Sequence, residues 1–160
     1  MLRRLLASAL AVLPSPVLAA DWWYLSVTGD PGDQYAAYAD LGSRSRTGDR
    51  VTISEASEYE RATERGIVSG RFRTVYDCRA RTAQIVDAIF YGPDGRERER
   101  SSGDPAPHGI EAGSVYEMKM QFACGETEGL EQLGRLGVRE QALLLFRDRT
   151  RYLAAHSAKR

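Results

Sequence analysis

Apolar and polar residues alternate with a period of two through much of residues 21–124, the spacing of half-buried strands. Residues 21–28 (DWWYLSVT) are rich in aromatic and β-branched side chains and stop at the turn cluster Gly29-Asp30-Pro31-Gly32. Residues 34–40 give a second, weaker strand with Tyr35 and Tyr38 among alanines, followed by a polar connection at 42–49. In residues 50–57 Val51 and Ile53 share one face, and 54–65 read as a charged loop or a short helical turn. Residues 67–78 set Val68, Phe72, Tyr76 and Cys78 on one face. Residues 82–91 are apolar on both sides, Ile85 and Ile89 on one and Val86, Ala88 and Phe90 on the other, which predicts a central strand covered on both faces. Pro93-Asp94-Gly95 is a turn, because Pro fixes φ and Gly accepts a positive φ. The run Arg96-Glu97-Arg98-Glu99-Arg100 then predicts a solvated edge or loop, and 101–113 a loop. The cleanest alternation lies at 115–124: Tyr116, Met118, Met120, Phe122 and Cys124 against Glu117, Lys119 and Gln121. It predicts a strand with Cys124 facing the core.

The pattern then changes to a helical period. Residues 126–134 predict a short helix and residues 138–155 a longer one. Val138, Ala142, Leu145, Phe146, Tyr152 and Leu153 form a broad apolar stripe on the longer helix. Arg135/Arg139 and Arg147/Arg151 are like-charged pairs at i, i+4, so this helix needs the sheet for stability. The expected architecture is α+β. An antiparallel sheet of five or six strands carries a C-terminal helix docked through Val138, Ala142, Leu145, Phe146 and Leu153.

Charge and cysteine content sharpen this picture. Met1-Leu2-Arg3-Arg4, an apolar run to Leu13, Pro14-Ser15-Pro16 and the small residues Ala19-Ala20 have the order of a secretory signal peptide. The apolar run is too short to span a bilayer. Cleavage after Ala19 or Ala20 fits equally, and no Cys follows to carry a lipid anchor. The expected divisions are a removed leader at 1–20, an antiparallel β domain at 21–125, and a helical extension of the same domain at 126–160. The chain balances 22 basic against 22 acidic residues; Arg3 and Arg4 leave with the leader, so 20 against 22 remain, a net of −2. A nucleic-acid partner is not expected from that balance. Residues 134–160 carry seven basic and two acidic residues, a net of +5, so residues 21–133 carry −7. The basic tail packs on its acidic body or meets an anionic partner. Cys78 and Cys124, even in number in an exported chain, predict one disulfide, since both fall on inward faces at strand ends. A metal site lacks ligands: there is no CxxC, and His108 and His156 lie far apart.

No motif spells out a reaction. GxSxG, a P-loop and GxGxxG are absent, and the paired carboxylates (Glu58/Glu60, Glu97/Glu99, Glu126/Glu128) sit in polar surroundings. No enzyme and no cofactor is expected. Trp22 and Trp23 point to opposite faces of their strand, so one belongs to the core and the other is open to a partner. The candidate binding residues are Trp22, Trp23, Arg135, Arg139, Arg147 and Arg151.

A set of ordered motifs adds a resemblance. Trp22-Trp23 is followed by Tyr38-Ala39-Asp40, Tyr76-Asp77-Cys78 with Arg79 and Arg81, Phe90-Tyr91-Gly92-Pro93-Asp94-Gly95, Ala112-Gly113-Ser114 and Cys124-Gly125. Over residues 21–125 this order resembles the surface-adhesin protein E family of Gram-negative bacteria. The family pattern has a Trp before its Gly-Ser element and a Pro before that Gly; here the stretch is His108-Gly109-Ile110-Glu111-Ala112. The resemblance implies a small antiparallel sheet with a helix and one disulfide, and binding of host matrix proteins. The expected function is therefore an exported, non-enzymatic binding protein of the periplasm or cell surface. The alternatives are an envelope assembly factor whose basic helix touches anionic lipid or lipopolysaccharide, and a small exported enzyme with an unfamiliar site.

Overall fold

The structure is a computed structural model that describes residues 20–134 and 137–157, with side chains to Arg151. The leader assigned to residues 1–20 lies outside the described residues, Ala20 excepted, as do Arg135 and the side chains of Tyr152 and Leu153. Eight strands, all antiparallel, and two helices are present among the described residues. In chain order they are β1 (Trp22–Thr28), β2 (Tyr35–Thr47), β3 (Arg50–Tyr59), β4 (Ser69–Asp77), β5 (Thr82–Tyr91), β6 (Glu97–Ser101), β7 (His108–Gly109), α1 (Val115–Cys124), β8 (Glu131–Gln132) and α2 (Val138–Ser157). The sheet order is β6-β5-β4-β3-β2-β1-β8, with β7 beside the start of β5. The fold is the expected α+β sheet with a docked C-terminal helix and one disulfide, with more strands than the five or six expected.

The helices lie on opposite faces of the sheet. Both stand over β2, whose Ala36, Ala37, Tyr38 and Ala39 are all buried. Alanine side chains are short, so a helix can approach from either side. Trp23, Leu25, Ala37, Ala39, Val51, Ile53 and Tyr76 meet Met120, Phe122 and Ala123 of α1. Trp22, Tyr24, Ala36, Tyr38 and Ala56 meet Val138, Ala142 and Phe146 of α2. Leu145 packs at the rim of that second cluster. The weak strand expected at 34–40 is thus the doubly covered strand of the sheet. It runs on through most of the expected polar connection, past a register break between Asp40 and Ser45, to Thr47.

Three expectations fail for identifiable reasons. The strand expected at 115–124 is α1. Ser114 Oγ caps the helix by accepting the Glu117 N–H at 3.2 Å, and the Glu117 carboxylate reaches back beyond the cap to accept the Gly113 N–H at 2.6 Å, so the two bonds together fix a helix start. Gly125, at φ 123°, closes the helix by donating to Gln121 O and Phe122 O. The short helix expected at 126–134 is an irregular crossing with glycines at positive φ (Gly125, Gly129), which carries the chain past the β1 edge, through β8, to the other face. The strand at 82–91 is not fully covered: Ile85, Val86, Ile89 and Phe90 are half-buried. A bulge opposite Arg73/Thr74 leaves Val86 unpaired, which turns Ile85 onto the face of Ala88 and Phe90. The Arg-Glu run is the edge strand β6, where Arg100 pairs with Glu97 and Arg65 with Glu99. A charged edge of this kind resists pairing with another chain.

The disulfide ties the end of β4 to the end of α1, with Cα atoms 5.9 Å apart. Arg46 donates to Cys124 O at 3.0 Å, placing a cation at the C-terminus of α1. The loop spans 46 residues in sequence. Cys78→Ser with Cys124→Ser should therefore lower stability by about 4 kcal/mol on the chain-entropy account, read as a lower denaturation midpoint. Phe146→Asp should cost about 3–5 kcal/mol in the same measurement, because it empties a buried site on α2 and buries a charge there. An unchanged midpoint would mean that α2 does not contribute to the core.

Candidate functional site

A ten-residue helix is about 15 Å long. A ten-residue strand reaches about 33 Å. α1, which touches β1, β2, β3 and β4, leaves part of the face it lies on uncovered. It packs over the end of the sheet that holds Val51, Tyr76 and the disulfide, and stops short of Tyr35, Tyr59 and Phe90. The uncovered part is a cleft of about 310 Å³. Its sheet side is formed by Tyr35 of β2, Glu55, Ser57 and Tyr59 of β3, Phe72 of β4, and Ile85 and Phe90 of β5. Val115, Tyr116 and Lys119 of α1 close the remaining side. The rings of Tyr35 and Tyr59 lie 6.2 Å apart, and Phe72 meets Phe90 edge-to-face at 5.6 Å. Gly70 makes room for this pair, since a Cβ there would stand 2.6 Å from Phe72 Cζ.

An ion pair forms the floor. Lys119 Nζ donates to Glu55 Oε2 at 3.2 Å, and the two residues are 8% and 1% exposed. Thr74 Oγ1 donates to Glu55 Oε2 at 2.9 Å and the Tyr76 hydroxyl to Oε1 at 2.6 Å. Burial works against the Lys119 charge, but the adjacent Glu55 carboxylate outweighs it and holds the ammonium above its ordinary value. Burial, reinforced by Glu55, pushes the Tyr76 phenol well up. Burial also raises Tyr59 and Tyr116, with Lys119 opposing it, so both remain neutral hydroxyls at physiological pH. Lys119 Nζ stands 5.5 Å from the Tyr116 ring centre and 5.9 Å from that of Phe72, within cation–π range.

The residues singled out in the sequence lie elsewhere. Trp22 and Trp23 are both half-buried and face opposite helices, each packed against one of the two core clusters. Trp23 packs 5.9 Å from Phe122 and donates its indole N–H to Asp21. Trp22 lies under the guanidinium of Arg71, which pairs with the buried Glu58 at 2.9 Å. Arg139 of α2 reaches the same carboxylate at 3.6 Å and donates to Tyr59 O at 2.6 Å. Burial raises Glu58, and Arg71 and Arg139 pull it back. Trp22 and Arg139 are thus joined through Arg71 and Glu58, whereas Arg147 and Arg151 are exposed beside Asp148. None of these candidates lines the cleft. Glu55 carried a sequence signal: it follows Val51 and Ile53 on the same face, where an apolar residue is expected. Lys119 carried none, because a strand assignment turned it outward.

The floor predicts an alkaline limit. Folded Tyr76 stays protonated above 10.0, its ordinary value, while the unfolded chain ionises there, so stability falls as pH rises past about 10. Lys119 acts in the same direction: its contribution is complete below 10.5 and fades as pH climbs through its raised folded value. Tyr76→Phe should cost about 1–2 kcal/mol at neutral pH and make the fall above pH 10 shallower. Denaturation midpoints measured from pH 7 to 11 check both effects.

Among the described residues no helix is long and apolar enough to cross a membrane. Nor do they hold a group of three or more His, Cys, Asp or Glu placed to bind a metal. No curated protein and no solved structure shows a significant match to the chain. The family model for surface-adhesin protein E matches residues 22–125, from the first residue of β1 to the glycine that closes α1. That span contains both cysteines and every residue lining the cleft, and leaves out α2. The chain belongs to the surface-adhesin protein E family.

Proposed function

We propose that this chain is an exported, non-enzymatic binding protein that acts in the periplasm or at the cell surface and holds an extracellular macromolecule through the cleft beside α1. The observation that carries this reading is the composition of the cleft. Five aromatic rings surround a polar floor, the kind of surface on which binding hot spots form. The floor supports binding over catalysis. Glu55 is held by three donors and shielded from water, so its carboxylate is not free to take a proton from a substrate. Residues 126–160 belong, on this reading, to the same domain as residues 21–125, because α2 buries its apolar stripe on the sheet.

The envelope-factor alternative needs α2 to offer that stripe, or its cations, to lipid. The stripe is occupied by Ala36, Tyr38 and Ala56. Arg139 is bound to Glu58 and to backbone carbonyls, and Arg149 donates to Val27 O. Among the described residues Arg147 and Arg151 remain as exposed cations of the tail for an anionic partner.

The test is retention of cells displaying the full chain on immobilised matrix proteins. Tyr59→Ala and Phe90→Ala should each reduce retention by about tenfold or more, the loss expected for a hot-spot aromatic. Arg96→Ala, at the exposed β5–β6 turn, should leave it unchanged. Cleft variants that keep the native circular dichroism spectrum and bind like the parent would sink the reading.

A further inference from the structure

We propose that the group held in the cleft is a single neutral pyranose ring, the terminal sugar of a glycan on an extracellular glycoprotein. The proposal rests on the cleft being the binding site, and it follows from the size, charge and hydrogen-bonding capacity of the cleft.

Size comes first. About 310 Å³ lies at the lower end of the roughly 300–1,000 Å³ typical of small-molecule sites, which suits one ring and not a folded peptide segment. Charge comes second. Glu55 and Lys119 cancel, and they are in direct contact. A ligand cation would lie against the Lys119 ammonium, and a ligand anion would find that charge already balanced by the Glu55 carboxylate in contact with it. A neutral group needs no net charge from the cleft.

Hydrogen bonding separates a sugar from a hydrocarbon. An ammonium has three donors. Among the described residues Lys119 Nζ meets one acceptor, Glu55, and its remaining hydrogens face the rings of Tyr116 and Phe72 in the cleft. Tyr35, Tyr59, Tyr116 and Ser57, each of which carries a hydroxyl, line the same space. An alkyl chain or a plain aromatic ring would cover these groups and leave them unpaired, which costs binding. A pyranose offers hydroxyls at its edge, to accept from Lys119 and to exchange hydrogen bonds with the tyrosines. Its faces carry axial C–H bonds of slight positive charge, which suit the negative faces of aromatic rings. The cleft supplies such rings on two sides, Tyr35 with Tyr59 and Phe72 with Phe90.

Saturation-transfer NMR on the full chain, with methyl glycosides of glucose, galactose and mannose as probes, tests the assignment. At least one glycoside should show transfer to its ring C–H protons. Tyr59→Ala should weaken that binding by tenfold or more. Tyr59→Phe and Tyr35→Phe, which keep the rings and remove only the hydroxyls, should each weaken it several-fold. Glucuronate and octanoate should bind less tightly than the best glycoside. Absence of transfer from every glycoside, or tighter binding of octanoate or glucuronate, would overturn the sugar assignment. Retention on matrix glycoproteins before and after enzymatic deglycosylation separates the two levels of the argument. Loss of retention on deglycosylation supports the sugar. Retention that survives deglycosylation yet still falls in Tyr59→Ala overturns the sugar and leaves the cleft standing. Retention that ignores Tyr59→Ala removes the cleft itself.

Discussion

Glu55 of β3 and Lys119 of α1 meet beneath the cleft, the carboxylate sealed off and the ammonium barely exposed, and each makes the burial of the other tolerable. Taking either charge out of water alone is expensive, and loss of one partner from such a pair costs about 3–5 kcal/mol. Thr74 and Tyr76 complete the hydrogen bonding of the carboxylate from the neighbouring strand. The pair therefore does more than join two elements. It fixes the height and rotation of α1 above the sheet at one point, while the Cys78–Cys124 bond fixes its far end. Arg81, paired with Glu117, holds the first turn. With three attachments the helix has one direction, and the open part of the sheet face lies beside Val115, Tyr116 and Lys119 in its first half.

The layering follows from side-chain size along β2. A strand whose consecutive residues are Ala36, Ala37, Tyr38 and Ala39 shows alanines to α1 and an alanine beside a tyrosine to α2, and both helices settle over it. Larger residues close the gaps: Trp23 of β1 against Phe122 of α1 on one face, and Tyr24 of β1 against Tyr38 on the other. The two faces then differ in purpose. On the α2 face, Glu58, Arg71 and Arg139 bind helix to sheet and leave little open. On the α1 face, the aromatic residues beyond the helix line an open cleft among the described residues. The part of the chain matched by the family contains the cleft and its floor, while the α2 support lies outside it.

Sequence patterning revealed the sheet because β3 and β4 carry the period of two, because β5 is an apolar run that stops at a turn, and because cysteines on inward faces left one pairing. It failed where two periods coincide. In residues 115–124 the even positions are apolar, which mimics a strand, yet Val115, Lys119 and Ala123 are also spaced by four. The deciding signal was Ser114 three residues before Glu117, a helix start that alternation does not register. With the helix misread, Lys119 faced solvent on paper and the cleft had no floor. The bulge at Val86 was equally hidden, because one unpaired residue reverses the facing of everything beyond it. The aromatic residues of the cleft were each visible, but they come from four strands and a helix, and only the register assembles them. The tail was legible in outline: its helix and the docking positions Val138, Ala142 and Phe146 follow from a period of 3.6.

The central claim is that partners are held in the cleft beside α1 and not on the tail or the sheet edges. Amide chemical-shift mapping of the full chain during titration with a soluble matrix glycoprotein tests it residue by residue. The account predicts perturbations concentrated at Tyr35, Ser57, Tyr59, Phe72, Phe90, Tyr116 and Lys119. Perturbations confined to Arg147 and Arg151 on α2, or to β6, with the cleft silent, would contradict it.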